Sequence, residues 1–441
     1  MEFIRAYSPA ALKRPIHVRY DDIIPQHSNF YFMGLYKSRS PSQSRSTSRA
    51  SGSNHHQHQC RPSTNTSLVS FSDSCPIHSS CCYSYRNVTI HGPGSKSLSS
   101  STNTLYSDKK SHFVPLCQLD DLQAIRAAEF HPRGRLYAIG SNSKSLRICE
   151  YPKSYELKGL RSDHEPEAPV TILKKQNHHR GSIYCIGWNP SGDLIATGSN
   201  DKSVRMMRFD ADKCDFIGPE VELSMHDGTV RDVCFMEDLT NGSNLLISAG
   251  AGDCRIYVTD CETATPFHSL SGHKGPILTM HTWGGAMFVT GSTDRTTRFW
   301  DLRSRDCVNM VAAPPTAGSV HGTSVTAVCV DPSGRLLVSG HEDSNVMLYD
   351  IRGNRMIQTI RPHLSEVRSI RFSPKAYYML TGGYDNKVVL TDLQGDLTQP
   401  VPSIVVAEHK DKVIQARWHP TDFTFISTSA DRSAVLWAMA S

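Results

Sequence analysis

Four side chains able to hold a metal crowd into one short stretch of the chain: Cys75, His78, Cys81 and Cys82. A tetrahedral zinc site takes its ligands from two well-separated pairs on a hairpin or knuckle. Here the pairs adjoin and neighbouring ligands strain the geometry, so the cluster reads as Cys/His-rich sequence and no metal is expected. Other chemistries leave no mark. There is no phosphate-binding G-x-x-x-x-G-K-[ST], no G-x-G-x-x-G opening a helix, no G-x-S-x-G and no H-E-x-x-H. The acids are spread over turns and do not converge as an acid/base pair. No catalytic residue, cofactor or small-molecule substrate is expected, and the sequence reads as that of a binding protein.

The elements that would position binding residues are visible as a repeat. Past Phe113 each unit has an alternating apolar strand, a turn often written x-Pro-x-Gly, a second strand ending in Ser/Thr-Gly-Ser, an Asp turn and a third strand. IGWNPSGDLIATGSNDKSVRMMRFD and VCVDPSGRLLVSGHEDSNVMLYDI are two of seven such units. The turn Asp or its stand-in falls at Ser143, Asp201, Asp253, Asp294, Asp343, Asp385 and Asp431. That period, near forty residues, is the one four-stranded propeller blades require. Six positions after each comes an aromatic or its replacement: Cys149, Met207, Thr259, Trp300, Tyr349, Thr391 and Trp437. The expected fold is all-β, a seven-bladed propeller over residues 113–441, and FVPLCQLD at 113–120 is placed to supply the outer strand that the last blade lacks.

These units resemble the WD-repeat family. The resemblance implies a buried relay in each blade, from a loop His through a Ser/Thr and the turn Asp to the Trp. Complete sets occur in blades 4 and 7: His273, Thr290, Asp294, Trp300 and His409, Ser427, Asp431, Trp437. In the other blades the set is broken, so apolar packing is expected to hold their loops. The family's geometry also implies a top rim, reached five residues after the loop His by Arg126, Tyr184, Arg231, Leu278, Thr326, Arg368 and Ile414. Glu366, Lys412 and Tyr384 are expected beside it. Arginines and tyrosines round one mouth suit an acidic or amphipathic peptide, since guanidinium pairs bidentately with carboxylate.

Residues 1–112 carry 13 Lys and Arg against 5 Asp and Glu, whereas the remainder carries 34 against 37. A basic tail therefore precedes a near-neutral body. SRSPSQSRSTSRASGS has too little apolar surface to offset its ordering entropy, and disorder is expected there. Its Arg-Ser alternation suits acidic surfaces, tubulin among them, and Ser40-Pro41 suits proline-directed phosphorylation. RNA binding would rest on that alternation alone, so nucleic acid is not the expected partner. No apolar run reaches the 18 residues of a membrane span, and the start lacks the apolar core of a signal peptide. The 13 cysteines are odd in number and scattered through apolar runs. An intracellular, cytoplasmic protein is expected.

Two finer resemblances point to partners. DLQAIRAAEFHPRGRLYAIGSNSKSLRICEYP, GHKGPILTMHTW and RWHPTDF resemble the microtubule-associated WD-repeat proteins of neurons. That likeness implies microtubule-associated partners, minus-end binders included, with a role in neuronal shape or motile cilia. Those proteins' N-terminal helical dimerisation segments have no counterpart here, where the basic tail stands instead. Separately, Asp301-Leu302-Arg303 and Asp350-Ile351-Arg352 look like the paired motif by which substrate receptors dock on cullin-RING ubiquitin ligases.

Overall fold

The structure, a computed structural model, describes residues 112–440 apart from 154–156, 158, 238–241, 243, 305 and 316–320. The basic tail, with its Cys75–Cys82 cluster and Ser40, lies outside the described residues. Twenty-eight strands, β1 to β28, build seven four-stranded antiparallel sheets. Blades 1 to 6 take four consecutive strands each: β2–β5 (125–175), β6–β9 (183–223), β10–β13 (230–270), β14–β17 (277–312), β18–β21 (325–360) and β22–β25 (367–408). Blade 7 takes β26–β28 (413–439) and borrows β1 (Phe113–Asp120) as its outer strand, with Phe113 opposite Met439 and Asp120 opposite Ser433. The outer edge of β1 is covered in turn, since Gln118 N–H donates to Glu167 O at 2.9 Å and Glu167 N–H to Leu116 O at 3.2 Å.

Second strands such as LYAIGS and LIATGS are buried along their whole length, because a neighbouring sheet packs on each face. Outer strands such as TILKK are partly exposed. The core is correspondingly divided into seven apolar layers, one at each junction between blades. At the junction of blades 6 and 7, Phe425, Val435 and Trp437 meet Tyr378, Leu380 and Val388. A single blade buries neither face alone; the ring is the unit of stability.

The turns repeat as faithfully as the strands. After the turn Asp or its stand-in, every blade places a non-glycine residue in the left-handed region: Lys144, Lys202, Cys254, Arg295, Ser344, Asn386 and Arg432, with φ between 56° and 77°. At the opposite end of the sheets, glycine makes room for the neighbouring blade. Gly192 has φ +83°, and a Cβ there would stand 2.2 Å from His131 Nε2. The same imidazole nitrogen donates to Gly192 O at 2.9 Å, and His419 makes the equivalent bond to Gly134 O at 2.9 Å.

The relays hold the loops at the top. In blade 4 Trp300 Nε1–H donates to Thr290 Oγ1 at 2.8 Å, Thr290 lies 2.7 Å from His273 Nε2, and His273 Nδ1 reaches Asp294 at 2.8 Å. Blade 7 repeats this through Trp437, Ser427, His409 and Asp431 at 2.7, 2.6 and 3.1 Å. Burial works to raise the Asp294 carboxyl, but hydrogen bonds from His273, Thr296 and the Lys274 N–H outweigh it and hold it far below the usual range. The expectation that apolar packing replaces the relay elsewhere fails in two blades. His179 bridges Thr197 and Asp201 at 2.8 and 3.0 Å, and His363 bridges Thr381 and Asp385 at 2.8 and 2.9 Å. Only the Trp is missing there, replaced by Met207 and Thr391. Blade 1 reverses the polarity: Asp121 takes the loop position and accepts from Ser141 at 3.0 Å, from Ser143 at 3.1 Å and from Arg147.

Two outcomes follow for stability. Gly192→Ala should lower the unfolding free energy by about 2 kcal/mol or more, through both the αL strain and the clash with His131; a urea melt of the full chain reads it. Burial pushes the imidazoles of His226 and His341 down from 6.5 to about 4. The unfolded chain therefore takes up protons first, and stability should fall as pH drops from about 6.5 toward 4, by up to about 1.4 kcal/mol per unit for each ring. The lowered carboxyls add a further loss below the unfolded value of 3.8. His226→Gln should flatten the upper part of this slope, and an unchanged slope in urea melts at several pH values would refute the assignment.

Candidate partner-binding mouth

Each innermost strand carries a β-bulge at the same place. The register shifts between Ile125 and Ala127, Ile183 and Cys185, Val230 and Asp232, Ile277 and Thr279, Val325 and Ala327, Val367 and Ser369, and Val413 and Gln415. The extra residue is in turn Arg126, Tyr184, Arg231, Leu278, Thr326, Arg368 and Ile414. A bulge re-aims its side chain out of the sheet alternation. All seven line one opening at the centre of the ring. The spacing that predicted a rim thus coincides with seven equivalent backbone irregularities.

Round that opening the charge is uneven. Tyr184 is stacked between two guanidiniums, with Arg126 4.6 Å and Arg231 5.0 Å from its ring centre. Arg126 Nε–H donates to Asn142 Oδ1 at 2.6 Å, which fixes its fork beside the ring. Arg231 Nε is buried and has no hydrogen-bond partner among the described residues. Burial, and after it the repulsion of Arg368, hold the Arg231 guanidinium below its ordinary range. Arg368 Nη1–H donates to Thr326 O at 2.8 Å, across the junction of blades 5 and 6. The remaining expected rim residues are not part of the opening. Lys412 stands 5.0 Å from the centre of the Tyr384 ring, and Tyr384 N–H donates to Glu366 O at 2.9 Å, which makes a second group on blades 6 and 7. Burial pushes the Glu366 carboxyl up, against the pull of Arg368.

Below the bulges lies a polar layer that the rim spacing did not reveal. Asp232 accepts the Met280 N–H at 2.7 Å and the Val233 N–H at 3.0 Å. Gln415 accepts the Ala128 N–H at 3.1 Å, and Ser369 Oγ accepts the Ala416 N–H at 3.0 Å. Arg417 bonds Glu129 at 2.8 Å and Ser369 at 3.2 Å. Each of these groups reaches from one blade to the innermost strand of another. Burial raises the Asp232 carboxyl, with Arg371 opposing. The opening they floor is about 40 Å³, room for a few waters or the tip of a side chain, far less than a cofactor needs.

The Asp-x-Arg motifs lie at the far end of the third strands, opposite the turn Asp. Arg303 folds back on Asp301, with Nε–Oδ1 at 2.9 Å and Nη2–Oδ2 at 2.7 Å. Asp350 accepts the Arg352 N–H at 3.1 Å and lies 3.7 Å from Arg355. In both blades the carboxylate caps its own turn.

The family model for the WD domain, G-beta repeat, matches residues 170–206, 264–301, 316–350, 354–392 and 401–438. The stretches left out cover most of blades 1 and 3, where Asp121 replaces the loop His and Asp253 turns to the Tyr257 hydroxyl. Among relatives, Protein tipD of Dictyostelium discoideum is 26% identical over 277 residues, 62% of this chain and 42% of its own length. Autophagy-related protein 16 of Arabidopsis thaliana is 24% identical over 287 residues, 63% of this chain and 52% of its own. Target of rapamycin complex subunit LST8 of Mus musculus is 26% identical over 254 residues, 55% of this chain and 72% of its own. The match thus spans about half the length of the first two relatives. Seven equivalent sheets, the repeated relay and turn chemistry, and five matches to the repeat model give one conclusion: the described residues form a seven-bladed β-propeller that carries WD repeats between residues 170 and 438.

Proposed function

We propose that this propeller is a non-catalytic protein-interaction scaffold whose mouth receives an acidic segment of its partner. One observation carries the reading: Arg126, Tyr184 and Arg231 form a continuous cationic and aromatic arc on three adjacent blades. Such an arc can hold a carboxylate by its forks and an apolar neighbour by the ring. WD-repeat propellers in general bind other proteins, and one relative is by name a complex subunit. The partner class we assign is microtubule-associated proteins, including minus-end binders, in the cytoplasm and on the microtubule cytoskeleton. Support for it is the wording of blades 1, 2, 4 and 7, which resembles the propeller of nemitin, a neuronal microtubule-associated WD-repeat protein. The basic tail would add direct adhesion to acidic tubulin surfaces.

The second reading, a substrate receptor docking on a ligase adaptor through Asp301, Arg303, Asp350 and Arg352, has the exposure of Arg303 and Arg352 in its favour. It would first have to open the Asp301–Arg303 pair.

The test is affinity purification of the full chain from neuronal lysate, beside Arg126→Glu, Arg231→Glu and Arg368→Glu variants whose melting matches the parent. Loss of microtubule-associated proteins from the variants is the expected result. Unchanged capture would overturn the mouth assignment, and loss of a ligase adaptor with Arg303→Ala plus Arg352→Ala would favour the second reading.

A further inference from the structure

The outer rim of a propeller is a row of open sheet edges, and folded proteins guard such edges with charge, proline or a covering segment. Six of the seven outer strands here are guarded. β5 (Thr171–Lys175) ends on Lys174 and Lys175, and β9 (Asp215–Leu223) contains Pro219, Asp215, Glu220 and Glu222. β13 (Thr265–Leu270) contains Pro266. β21 (Arg355–Ile360) starts on Arg355 and is overlaid by the blade 6 loop, since Gln358 Nε2–H donates to Leu397 O and Gln399 O. β25 (Ser403–Glu408) ends on Glu408, and β1 has Pro115 and the Glu167 cover.

β17 (Cys307–Ala312) in blade 4 has none of these. Its sequence, CVNMVA, holds no charge and no proline, and the one side-chain bond it makes to blade 5 among the described residues is a long one, from Asn309 Nδ2–H to Asn354 Oδ1 at 3.5 Å. Val308 and Met310 are 48% and 53% exposed. The Met310 N–H, lacking a strand partner, takes the side-chain oxygen of Asn309 at 2.8 Å. In β16 (Thr296–Asp301) the ladder partner of Asn309 is Phe299, so the other side of β17 is already used.

We propose that this edge pairs with the same edge of a second copy of the chain, as an antiparallel two-fold dimer. The occupant follows from the pattern of the strand. Residues opposed in an antiparallel pair share a face, so a two-fold centred on Asn309 sets Val308 against Met310 of the other copy, twice, and Asn309 against its own equivalent. Apolar pairs of this kind stabilise a ladder, and no like charges meet. The pairing extends two four-stranded blades into one continuous sheet and leaves both mouths free.

The experiment is sedimentation equilibrium of the full chain over a wide concentration range, with Met310→Lys as the test variant. Met310 is half exposed, so folding should survive; a melt matching the parent confirms it. The parent should show a reversible monomer–dimer equilibrium, and Met310→Lys should raise its dissociation constant by about tenfold or more. Mixing a Val308→Glu chain with a Met310→Lys chain should restore association, because the register brings the two substitutions face to face. A parent that stays monomeric, a dimer indifferent to Met310→Lys, or a mixture that fails to associate would each overturn the proposal.

Discussion

Seven innermost strands converge on the axis of this ring, and each has a free edge with backbone donors and acceptors that no further strand can satisfy. Much else in the structure is a response to that constraint. Asp232, Ser369 and Gln415 each accept an amide hydrogen from the next blade's innermost strand, and Arg368 donates to the carbonyl of the preceding one. A buried polar group without a partner costs free energy comparable to a lost hydrogen bond. The channel is therefore polar for a reason that precedes any ligand. The bulged residues, pushed out of alternation, face the opening, and two of them, Arg368 and Thr326, also bond backbone carbonyls across the junction of blades 5 and 6.

This division of labour explains why scaffold and mouth coexist in one strand. Alternate positions fix neighbouring blades together by apolar contact or by hydrogen bonds, and the single irregular position varies in chemistry. Arginine, tyrosine, leucine, threonine and isoleucine all occur there without disturbing the ladder on either side. A partner surface can be altered at the other five points while the fold's requirements are met elsewhere; at Thr326 and Arg368 the two duties coincide.

How much could be read in advance depended on how local the determinant was. Strand alternation, the x-Pro-x-Gly turns and the turn Asp are fixed within a few residues, so seven units and their order were legible. The seven bulged positions were legible too, because their offset from the loop position is constant, whereas Glu366, Tyr384 and Lys412 fall outside the opening. The relays of blades 2 and 6 were missed because the set was counted by its Trp, whereas His179 and His363 need only a hydroxyl and a carboxylate. Blade 1 hid its substitute because Asp121 and Arg147 exchange charge with the usual pattern. The polar floor of Asp232, Gln415 and Arg417 could not be seen, since each acts on another blade, and sequence order says nothing about which atoms meet across a junction.

Borrowing β1 for the last blade has a consequence in time. During synthesis β1 leaves the ribosome long before β28, its partner, which ends near the finish of the chain. At about 5–20 residues per second the wait is roughly 15 to 60 seconds. Through that interval the apolar FVPLC stretch stands without its ladder, and six finished blades have no closed ring to join. A premature stop before Ser433 removes β28 and leaves an open ring whose first strand has no ladder to join.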